Sequence, residues 1–92
     1  MLSKTVSKVS VKLTQPKFYI ITFNLKVSDG VVNVIDENFP VEYRTGEDVA
    51  SKVAEVVEKM QLRIDTYKTE VALLANAALD NAVNTISGGL TL

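Results

Sequence analysis

Between residues 47 and 87 the chain has neither glycine nor proline, and apolar residues recur there at helical spacing. A breaker-free stretch of that length constrains everything upstream of it. Residues 45–89 are expected to form one long α-helix, too long for the rest of a 92-residue chain to cover.

One line of side chains carries this reading: Val49, Val53, Val56, Met60, Ile64, Tyr67, Val71, Leu74, Ala78, Ala82 and Ile86. Ten steps take it from 49 to 86, or 3.7 residues per step. The α-helical repeat is about 3.6, so these groups fall on one nearly straight stripe. A coiled-coil seam repeats at about 3.5, so a bundle built on this stripe would be straight or slightly right-handed. Thr45 is the expected N-cap, with Asp48 at the third helical position and Glu47 beside it, where the helix dipole favours anions. Gly88 and Gly89 follow the last periodic residue, where a left-handed C-cap is expected.

The two halves of the stretch differ. In residues 48–68 the outward side carries Lys52, Glu55, Glu58, Lys59, Arg63 and Asp65, with Asp48–Lys52 and Glu55–Lys59 spaced i, i+4. In residues 71–92 the only charge is Asp80, while Leu73, Leu79 and Val83 add apolar bulk and Ala72, Ala75, Ala77, Ala78 and Ala82 are small. A helix apolar most of the way round is buried on more than one side. The plain alternative is that an alanine-rich segment is simply a good helix former. Exposed, nearly charge-free surface is a liability, which favours burial against a partner.

Upstream the periodicity changes. From Lys4 to Thr14 it is two, with Val9, Val11 and Leu13 on one side and Lys8, Ser10 and Lys12 on the other, which argues a strand. Gln15-Pro16 marks a turn. Residues 18–27 form the strongest strand: Tyr19, Ile21, Phe23, Leu25 and Val27 line one side, and Phe18, Ile20, Thr22, Asn24 and Lys26 the other. Asp29-Gly30 predicts a two-residue hairpin pairing Ser28 with Val31, Val27 with Val32 and Leu25 with Val34. A third strand is expected over residues 31–36, with residues 39–43 as an extension after an irregularity at Glu37-Asn38. Pro40 confines that extension to an edge or a bend.

The expected fold is therefore a single α+β domain over residues 1–92: a three-stranded antiparallel β-meander (residues 1–44) followed by one long C-terminal α-helix (β-β-β-α). A strand of about nine residues spans about 30 Å, whereas a helix over residues 46–86 spans about 60 Å. One sheet shields about half of it. The remainder is expected to pack against other copies, helix to helix or onto a neighbour's sheet, through Val71, Leu74, Ala75, Ala78, Leu79, Ala82, Val83 and Ile86. A competing arrangement bends the helix into a hairpin near Asn76 or Asp80-Asn81.

Composition narrows the function classes. There is no histidine, cysteine or tryptophan, which removes the usual zinc sites, nucleophile pairs and imidazole acid–base chemistry. Gly30, Gly46, Gly88 and Gly89 form no phosphate-binding or dinucleotide fingerprint. Asp36 and Glu37 are adjacent and point to opposite sides of a strand, and Glu55 and Glu58 sit among Lys52 and Lys59 as a solvated surface. The expectation is a protein that is not an enzyme and binds no cofactor or metal.

Net charge is −1, unevenly placed: residues 1–28 carry five lysines and no acid, residues 29–92 five bases and eleven acids. Lys4, Lys8 and Lys12, with Lys26 alongside, form a candidate polyanion-binding row. Lysines on an outer strand also serve to block edge pairing, and one Phe is no stacking platform. Phe18 and Ile20 on the outward side mark a second candidate contact between subunits. The start of the chain lacks a signal-peptide pattern, and the apolar run near Val71 is too interrupted to span a membrane. A cytoplasmic location or an assembled particle is expected.

The reading these features support is a homo-oligomeric structural or assembly protein, of the size and plainness of small phage or prophage components, with other assembly proteins as further partners. The alternative is a small module whose lysine-bearing sheet surface contacts nucleic acid or another polyanion.

Overall fold

A computed structural model describes residues 1–92. Three strands, β1 (Ser3–Gln15), β2 (Phe18–Ser28) and β3 (Asn33–Arg44), precede two helices, α1 (Val49–Leu74) and α2 (Ala77–Gly89). The strands are antiparallel in the order β1-β2-β3, the expected meander. The helical stretch differs from expectation: it is two helices rather than one. The chain divides within α1 into two compact units, Met1–Leu62 and Arg63–Leu92.

In the first unit, alternation along β2 decides the core. Leu25 and Val27 are 1% and 3% exposed, and opposite Val27 on β3 Ile35 is 2% exposed. Val41, opposite Ile21, is buried on the same side, as directly paired residues share a face. From α1, Val56 and Met60 are buried. β1 contributes no buried residue. The opposite side is polar: Asn24 Nδ2 donates to Asp36 Oδ1 at 2.9 Å, Asn38 Oδ1 at 3.0 Å and the Glu37 carbonyl at 3.3 Å, tying β2 to β3.

Both turns follow side-chain chemistry. Pro16-Lys17 joins β1 to β2, with Lys17 in the left-handed region at φ 72°. The Lys17 carbonyl accepts from Thr45 N at 2.8 Å, which ties this turn to the connection between β3 and α1. The second hairpin differs from the predicted two-residue turn. The Asp29 carboxylate accepts from Val31 N at 2.8 Å and Val32 N at 3.0 Å, and Asp29 N donates to the Val32 carbonyl. Those bonds draw Val31 and Val32 into an exposed loop with Gly30 at φ 102°. Val27 then opposes Ile35 rather than Val32, and Leu25 opposes Glu37 rather than Val34. β3 runs unbroken through Glu37, Asn38 and Pro40, and Pro40 is tolerated because β3 is an edge strand.

The helix ends also move. Gly46 takes φ 95°, so Thr45 lies in a turn and Asp48 is the N-cap: its Oδ1 accepts from Ala50 N at 3.1 Å and its Oδ2 from the Ser51 hydroxyl at 3.0 Å. Asp48 is thereby taken from Lys52, which pairs instead with Glu47 at 3.3 Å and more loosely with Glu55 at 3.9 Å. Glu47 Oε1 accepts from Arg44 N at 2.6 Å. Gly88 and Gly89 stay helical, and α2 is closed by Leu90 N donating to the Ser87 carbonyl instead of a left-handed glycine.

In the second unit the break needs neither glycine nor proline. Ala75 N still donates to the Val71 carbonyl, but Asn76 N reaches only to Leu73, and Asn76 itself is extended at φ −79°, ψ 115°. Its Oδ1 accepts from Leu79 N at 3.1 Å, satisfying a donor that a new helix start would otherwise leave open. The break falls at one of the two positions considered for a bend, but the helices do not cover each other: of residues 68–92 only Ala82 is even half-buried.

Two expectations follow. Asn76→Ala removes the cap, worth about 1 kcal/mol, and puts the best helix former at the break. Backbone NMR shifts at residues 75–77 should become helical; a persisting break would show that the Asn76 side chain does not make it. Second, Asp29 is held below the usual carboxylate range by the Val32 and Val31 amides, and Glu47 by the Arg44 amide with help from Lys52. Lowered folded values mean stability present above the unfolded carboxylate pKa of about 4 and lost as pH falls through the folded values. Asp29→Asn keeps an acceptor without the titration, so its denaturant midpoint should fall less than the parent's between pH 7 and pH 3.

Candidate interaction surface

The residues expected at an oligomer contact are uncovered. Val71, Leu74, Ala75, Ala78, Leu79, Val83 and Ile86 are all exposed, Leu74 at 81% and Val83 at 63%, and Ala82 is half-buried. At the bend between α1 and α2, Glu70, Leu73, Leu74, Leu79 and Asp80 line an open hollow of about 520 Å³. Leu79, Val83 and Ile86 lie at i, i+4 and i+7 on α2, which makes one continuous apolar ridge.

The lysine row does not assemble. A bulge between Lys8 and Ser10 shifts the register of β1 against β2. Before it, Lys4 opposes Val27 and Lys8 opposes Phe23, on the side of the buried core; after it, Lys12 opposes Ile20, on the polar side, where Lys26 also lies. An inserted residue reverses the alternation, so four lysines that look like one row in sequence are split between two sides. Phe18, expected as an outward contact between subunits, is 43% exposed, and the Arg44 guanidinium carbon sits 5.5 Å from its ring centroid. That aromatic face is already occupied by a cation.

The same bulge creates a feature that strict alternation hides. Val6, opposite Leu25, and Val11 and Leu13, opposite Ile21 and Tyr19, share the core side of the sheet yet are 55%, 53% and 62% exposed. The core side of β1 is a bare apolar strip, with Lys4 and Lys8 among its valines. The signal in the sequence is a parity break: Val6 is even-numbered, Val9, Val11 and Leu13 odd, and no uninterrupted strand puts them on one side.

Elsewhere, a groove of about 490 Å³ is lined by Ile20, Pro40, Val41, Glu42, Lys52, Glu55 and Lys59, mixed in charge and with Lys52 already paired. No three acidic side chains gather into a metal-binding group. No helix is long and apolar enough to cross a membrane. Compared with known proteins, the chain matches no family model, no curated sequence and no solved structure.

The Phe18–Arg44 pair is directly testable. A double-mutant cycle with Phe18→Leu and Arg44→Met should return a coupling of about 0.5–1 kcal/mol, the range for an exposed cation–π contact. A coupling indistinguishable from zero would mean the Phe18 ring is free for another ligand.

Proposed function

We propose that this protein is a non-enzymatic structural or assembly component that works as a homo-oligomer. The observation that carries the reading is uncovered apolar surface within the second unit: Leu74 is 81% exposed, Leu79 49%, Val83 63% and Ile86 62%. Much of the uncovered surface is apolar and lies where charge is scarcest, in residues 71–92, whose only ionisable side chain is Asp80.

Composition supports the non-enzymatic half of the reading, since a chain without imidazole or thiol lacks the commonest acid–base and nucleophilic groups. The polyanion-binding alternative loses its main support with the splitting of the lysine row.

Light scattering at micromolar concentration should return a multiple of 10.1 kDa. Leu74→Asp and Leu79→Asp each place a charge on exposed apolar surface, so they should lower that mass while leaving the far-UV circular dichroism unchanged. A monomeric parent chain, or an unchanged mass in both variants, overturns the proposal.

A further inference from the structure

The chain carries two uncovered apolar surfaces of different kinds. One is a ridge, Leu79, Val83 and Ile86 on α2; the other is a flat strip, Val6, Val11 and Leu13 on the core side of β1. Building on the oligomer proposed above, we infer that α2 of a second copy docks on the bare strip of β1, completing the helical layer of the sheet.

Dimensions favour this pairing. α2, with 13 residues, is about 20 Å long, and the strip from Val6 to Leu13 runs about 25 Å. Charge favours it as well. The strip brings Lys4 and Lys8, whereas α2 carries only Asp80 and the negative end of its own dipole. A sheet side flanked by lysine receives a helix with no cation of its own.

Other routes to covering these surfaces are obstructed. The exposed edges of the sheet are guarded: β1 by its bulge and by Lys4, Lys8 and Lys12, β3 by Pro40. Strand-to-strand addition is therefore the weaker mode. Within the second unit, α2 does not lay its ridge on α1: Leu79, Val83 and Ile86 are 49%, 63% and 62% exposed. Two ridges meeting across a twofold would leave both β1 strips bare, whereas ridge on strip covers both kinds of surface at once.

The chain has no cysteine, so introduced thiols report position without background. Val11→Cys and Val83→Cys, both at exposed sites, are prepared as separate chains distinguishable by mass, co-refolded, and treated with a short bis-maleimide. The expected product is the mixed Val11→Cys/Val83→Cys dimer, severalfold over either self-linked species. In parallel, Val11→Asp should lower the light-scattering mass as Leu79→Asp does. A chain that is oligomeric but links mainly Val83→Cys to itself overturns this inference and leaves the oligomer standing. A strict monomer overturns both. A double variant that links only within one chain shows α2 covering its own sheet, which also overturns it.

Discussion

A helix with its side chains is about 10–12 Å across, while three strands spaced about 4.8 Å apart present a wider sheet. A single helix covers about two strands, and that width mismatch sets the rest of the structure. Burial follows it closely: Leu25 and Val27 on β2, Ile35 and Val41 on β3, and Val56 and Met60 on α1 form the core, and β1 supplies nothing to it. β1 joins the sheet through its pairing with β2, and its apolar side chains stay exposed.

Much of this architecture was legible in the sequence, because it rests on periodicity and punctuation. Alternation from Phe18 to Val27, the turn at Pro16 and the helical spacing from Val53 onward are each local signals, and each marks a real element. The change of charge past Glu70 is equally local, and burial does fall away near there, with every residue past Tyr67 exposed except Ala82.

What was not legible depends on single side chains competing for backbone groups. Asp29 bonds the Val31 and Val32 amides, and the partner of Val27 moves three residues along β3. Asp48 caps α1 because Gly46 takes a left-handed conformation, so the signal at Thr45 goes unused. Asn76 starts a second helix by accepting from Leu79, in a stretch without glycine or proline, where a bend at Asn76 was only the competing arrangement. In each case a short polar side chain offers the backbone an alternative bond, and propensity gives no warning of which alternative wins. The bare strip on β1 was hidden for a related reason: an inserted residue leaves composition untouched and reverses everything that alternation implies.

The bulge at Val9 has one more consequence. With Val9 removed, Lys8 would still oppose Phe23 and Ser10 would still oppose Thr22, so no side chain would change sides. What would change is the outer rail of the strand, whose line of amides and carbonyls would then run regularly from Ser3 to Leu13. Regular, unsatisfied rails are the templates on which chains stack into fibrils. Loss of a single codon would thus leave the fold readable as before while removing part of what keeps the outer edge of β1 from templating a fibril.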